Sequence, residues 1–165
     1  MPFYPGDLRD EVYARILVKR TALQFAINDF EAAKTWYPYS TLQSLAGDSP
    51  KGKVWVVSGT PGDIAAETRT NAGMRYHSVM VAYQRVVKER IKDLAFMDSL
   101  GQLVQDLEFM CRKEIGDVTG ETNPYAFSRL EYLKDENGVP YQFTMMRKAL
   151  TFECYFTAFY NIVLS

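Results

Sequence analysis

Histidine occurs once in this chain of 165 residues, at position 77, and cysteine twice, at 111 and 154. A lone histidine cannot supply the paired imidazoles of a common zinc site, and no HExxH spacing surrounds it. The cysteines form no CxxC pair, and each sits in an apolar run, so both read as buried, reduced core residues. No apolar run approaches the roughly 20 residues that a membrane-spanning helix needs. The first residues, Met1 to Gly6, show no basic stretch followed by an apolar one, so no signal peptide is expected. Charge of one sign is lacking too. Nineteen basic residues face 20 acidic ones, for a net charge of −1, with no basic stripe. That argues against a binder driven by attraction to nucleic-acid phosphates.

The catalytic motifs are equally sparse. The glycine pairs Gly59–Gly62 and Gly116–Gly120 fit neither GxGxxG nor GxxxxGK[ST] and read as turns. No Gly-x-Ser-x-Gly elbow offers a nucleophile, and no calcium-loop spacing appears. The expectation is a protein that is not an enzyme, with no catalytic residues, no metal and no cofactor. Glu153, the one acidic residue within the last apolar stretch, is expected to be solvated or to face a subunit. Arg85, Lys88, Arg90 and Lys92 are interspersed with Glu89 and Asp93 and read as a solvated face.

What the chain does have is a globular composition, 47% hydrophobic and 14% aromatic, sized for one domain over residues 1–165. Val12, Ile16, Leu23, Ala26, Ile27 and Phe30 recur at helical spacing, predicting an amphipathic helix over Leu8–Phe30 with Asp7 as its cap. Lys53–Ser58 and Arg75–Lys88 read as strands, separated by a long loop at about 59–73. Leu100, Leu103, Val104, Leu107, Met110 and Cys111 mark a second helix, capped by Asp93 or Asp98. A second long loop follows at about 116–125. Phe127–Lys134 and Val139–Met146 flank Asn137-Gly138, predicting a hairpin. Leu150–Leu164 alternates apolar and other residues throughout, which demands a strand. The fold class expected is α+β, an antiparallel sheet with two main helices on one face.

Apolar residues also occupy the supposedly outer strand faces. Tyr76, Met80 and Val86 on one strand, with Tyr155, Phe159 and Val163 on the last, need cover that two helices on the other face cannot give. These six are the candidate subunit interface.

The element order resembles that of the tail terminator and tail-completion (neck) proteins of tailed bacteriophages. The likeness is carried by Lys53-Val-Trp-Val-Val-Ser-Gly59, Arg75–Lys88, the helix around Leu100–Met110 and Leu150–Leu164. The connector at Thr35–Gly52 and the insertion at Gly116–Tyr125 are longer than the family pattern. The resemblance implies a structural virion protein made in the host cytoplasm. It implies a homo-oligomeric ring, as a hexamer, whose partners are the tail tube protein and the head-side connector. DNA would pass through the lumen without specific binding, and no membrane is involved. The alternative expectation is a small α+β protein-binding adaptor module.

Overall fold

The computed structural model describes residues 5–35, 52–58, 74–115, 125–132, 141–146 and 149–163. In chain order the elements are α1 (Pro5–Thr21), β1 (Phe30–Thr35), β2 (Gly52–Ser58), β3 (Met74–Val86), α2 (Leu94–Phe109), β4 (Tyr125–Tyr132), β5 (Tyr141–Met146) and β6 (Ala149–Val163). The fold is α+β, with six strands in one mixed sheet.

Strand β6 is the spine. On one side it pairs antiparallel with β3 from Thr151 to Val163. On the other side β4 covers Phe156–Ile162 and β5 covers Ala149–Cys154, both antiparallel. A strand of 15 residues is longer than β4 or β5, so both are needed to satisfy its backbone on that side. β4 and β5 therefore lie end to end along β6 and, among the described residues, are not paired with each other. The predicted pairing of these two strands is corrected: in the described residues each pairs with β6, and Met146 of β5 faces Ala149 of β6. Asn137 and Gly138 lie outside the described residues, as do the predicted loops at 59–73 and, up to residue 124, at 116–125.

Two further expectations change. The first helix stops at Thr21, well before Phe30. Leu23 takes a left-handed φ of 57°. Around it the Gln24 amide donates to the Lys19 carbonyl at 2.9 Å and the Leu23 amide to that of Arg20 at 3.1 Å. These bonds form a Schellman stop, built on a leucine where glycine is usual. The chain then forms β1, which runs parallel to β2 with Phe30 opposite Gly52. The sheet is thus mixed and not wholly antiparallel. A parallel neighbour needs a crossover of a dozen residues or more, and residues 36–51 provide that length.

One apolar cluster joins Leu8, Val12 and Ile16 of α1, spaced four apart, to Leu100, Leu103, Val104 and Leu107 of α2. The same cluster holds Val54 and Val56 of β2, Val79, Val81 and Tyr83 of β3, and Phe152, Cys154, Phe156, Ala158 and Tyr160 of β6. Their alternation along each strand defines one sheet face, called the front here. Gly52 sits beneath the Tyr83 ring, where a Cβ would come within 2.7 Å of the hydroxyl oxygen, so only glycine lets the two strands close. Of the two predicted caps, Asp93 serves α2, accepting from the Phe96 amide at 3.2 Å. After α2 the backbone widens into a π turn at Met110–Glu114.

Candidate interface and the buried polar row

The other sheet face, the back, is where the candidate interface was expected. Trp55, Val57, Met80, Ala82 and Tyr155 form a second apolar cluster there. Met80, Tyr155 and Phe159 are only 2, 4 and 0% exposed in the single chain, so sealing them requires no neighbour. Part of the cover is cationic. The Lys53 ammonium lies 4.7 Å from the Trp55 ring centroid, and the Arg129 guanidinium 4.1 Å from that of Phe159. Val86 is half-buried. Tyr76 and Val163 hold register positions on β3 and β6, opposite Asn161 and Met74, and their side chains lie outside the described residues.

Across this back face runs a row of polar residues set by strand register. Glu31 faces Lys53, Lys53 faces Gln84, Gln84 faces Glu153, and Glu153 faces Gln142. Glu153 points away from the front core as expected, but at 3% exposure it is not solvated. Its carboxylate accepts from the Tyr155 hydroxyl and the Thr144 hydroxyl, each at 2.8 Å. It also accepts from Gln84 Nε2 and Gln142 Nε2, each at 3.3 Å. Gln84 in turn accepts from Trp55 Nε1 at 3.2 Å and donates to the Tyr155 oxygen at 2.8 Å. Four neutral donors thus hold a buried carboxylate, and among the described residues no cation contacts it. A carboxylate so engaged is poorly placed to attack or to ligate a metal. Its effect is to fix the register of β3, β6 and β5, because a shift of one residue would carry Glu153 into the apolar front.

His77 is buried on the front face, opposite Tyr160. Cys111 and Cys154 are buried and unbonded to each other, and burial pushes both thiols up to about 12. Among the described residues no cluster of three or more His, Cys, Asp or Glu could hold a metal ion. No described helix is long and apolar enough to cross a membrane.

An exposed apolar stripe lies elsewhere, on β5. Tyr141, Phe143 and Met145 are 40, 40 and 64% exposed and alternate along the strand, on the face shared with Phe152 and Cys154. The rings of Tyr141 and Phe143 lie 5.3 and 5.6 Å from that of Phe152, so the stripe continues the front core to the edge of the sheet. Among the described residues β5 pairs only with β6, and β1, at the opposite edge, only with β2. The alternation was visible in the sequence. What was not visible is that β5 forms an edge, which follows from its pairing with β6 instead of β4.

No protein-family model matches the chain, and no curated protein matches it.

Proposed function

We propose that the chain is a ring-forming structural subunit of the tail-terminator type, which caps a phage tail tube and joins it to the head-side connector. The observation that carries this reading is the pair of sheet edges left unpaired among the described residues, β1 on one side and the β5 stripe of Tyr141, Phe143 and Met145 on the other. Two different edges on one subunit suit a head-to-tail contact, and such contacts close into rings when the rotation permits. In this reading both helices pack on the front face, which their shared core cluster supports. The interface moves from the sealed back of β6 to the edge strands. The ring is a hexamer in the virion neck, and DNA crosses its lumen without being gripped.

Particle imaging and mass measurement of the purified protein, alone and with tail tubes, test the reading. Closed rings, free or seated on tube ends, are expected. A chain that stays monomeric in both settings would overturn it. The adaptor alternative uses the same β5 stripe, and a one-to-one complex with a single partner protein would favour it.

A further inference from the structure

A pocket of about 480 Å³ lies between the α1–β1 link and the start of α2. Its walls are Ala26, Ile27, Asn28 and Asp29 from the link, Arg85 from β3, Arg90 and Asp93 from the turn before α2, and Ala95, Phe96 and Ser99 from α2 itself. Arg85 forms the inner wall and is only 4% exposed. Its two terminal nitrogens hold the Asp29 carboxylate at 2.7 and 3.0 Å, while its buried Nε has no partner. Arg90 stands in the open. Its guanidinium lies 3.5 Å from the centroid of the Phe96 ring, and among the described residues no side chain accepts from it.

We infer that this pocket binds a carboxylate group carried on a short apolar stem. A guanidinium resting on an aromatic ring keeps its N–H groups in plane and directed outward, the fork that meets a carboxylate with two parallel bonds. The stem has Ala26, Ile27 and Ala95 to lie against. The lining is neutral overall, two guanidiniums against the Asp29 and Asp93 carboxylates, which disfavours a dianion such as phosphate more than a monoanion. Arg85 is engaged by Asp29, and of the two lining cations Arg90 is the one that, among the described residues, has no side-chain acceptor. A dianion would meet the half-exposed Asp29 carboxylate on the same wall. A nearby acceptor suits a ligand with an N–H next to its carboxylate. The Ser99 hydroxyl gives its proton to the Ala95 carbonyl at 2.8 Å and keeps its lone pairs to accept from such an N–H. A peptide C-terminus has both groups, and a small free acid has only the first.

The test is a titration of the full chain followed by NMR, reading the Arg85 Nε–H and the amides of Phe96 and Ser99. The probes are N-acetyl-alanyl-alanine, its C-terminal amide, butyrate and inorganic phosphate. Saturable shifts with both carboxylates are expected, with the amide weaker by about tenfold or more. Tighter binding of the peptide acid than of butyrate assigns the ligand to a polypeptide end, and equal binding assigns it to a small acid. Arg90→Ala, at an exposed site that leaves the core intact, should abolish the shifts. Arg90→Lys, which keeps the charge and loses the fork, should weaken them about tenfold. Equal binding of acid and amide, tighter binding of phosphate, or shifts that survive Arg90→Ala would each overturn the assignment.

Discussion

The Tyr160 hydroxyl donates to the backbone carbonyl of Cys111 at 2.7 Å, tying the spine strand β6 to the turn that ends α2. At that turn the helix loosens, and the Ile115 amide reaches back five residues to the Met110 carbonyl at 3.1 Å. A widened turn changes which carbonyls the helix itself satisfies, and the phenol answers one of them in the core. Tyr160→Phe keeps the ring contacts with Tyr125 and Phe127 and removes only this donor. The expected loss is about 1–3 kcal/mol, the cost of a buried carbonyl left unanswered. Urea denaturation of the two proteins measures it, and an unchanged midpoint would mean that water replaces the hydroxyl.

Leu23 offers a gain in place of a loss. It is exposed and held at φ 57°, a region that disfavours any residue with a Cβ. Leu23→Gly is expected to stabilise the chain by about 0.5–1 kcal/mol after allowing for the extra freedom of glycine in the unfolded state. Leu23→Ala removes the same exposed side chain but keeps the strain, so it should not gain. Thermal melts of the pair separate conformation from hydrophobicity.

The same leucine shows why the sequence misleads at this point. Leu23 and Ile27 continue the period of Val12 and Ile16, and no glycine or proline marks the stop after Thr21. The bonds of the Schellman turn are tertiary information in local form. The reverse error concerns the pairing of β4 with β5: in the described residues each pairs with β6 instead, because the length of β6 requires two partners laid end to end. Where one period has no rival, in β2, β3, β6 and α2, the sequence reads correctly to within a few residues. The polar row is harder to see. Lys53, Gln84, Glu153 and Gln142 lie far apart in the chain, and each alone looks like an ordinary surface residue until strand register aligns them. The carboxylate pocket was illegible for the same reason: Arg85 and Arg90 look like one solvated basic cluster until β3 buries the first.

Glu153 provides a test of the buried row. Glu153→Gln keeps the shape but turns one acceptor oxygen into an NH₂ group facing neighbours that already donate, namely Tyr155, Thr144, Gln84 and Gln142. Loss of about 1–3 kcal/mol is expected despite removal of a buried charge. Hydrogen exchange at the β5 and β6 amides should rise in the variant, because these strands take their register from the row. Unchanged exchange there would show that apolar alternation alone sets the pairing.

The cysteines set an alkaline limit. Both thiols ordinarily titrate near 9.0 and are pushed up to about 12 in the fold, by burial first. Below the unfolded value both states hold the proton and the stabilisation is complete. As pH rises from there toward the folded value, the unfolded chain ionises first and stability falls, by up to about 1.4 kcal/mol per unit for each thiol. Denaturation midpoints should decline between pH 8 and 10, a range chosen to precede most tyrosine ionisation. Cys154→Ala should flatten the decline, and native protein at pH 8 should react slowly with a thiol reagent. Rapid modification would show that the core opens there.

On the acid side the sign reverses, and Arg85 with Asp29 sets it. The Arg85 guanidinium, hydrogen-bonded to Asp29, holds that carboxyl below its ordinary value of 3.8. Stability from the pair is complete above that ordinary value and is lost as pH falls through the lower folded one. Asp29 is half in solvent, so screening keeps the contribution modest. Arg85, by contrast, is buried, and Asp29→Asn leaves its charge without a counter-charge at any pH. The variant should lose about 1–3 kcal/mol at pH 7, less than a fully buried pair would, and show a shallower fall between pH 5 and 2.5. Parallel slopes for the two proteins would mean that other carboxylates, Asp10 beside Arg9 among them, govern acid unfolding.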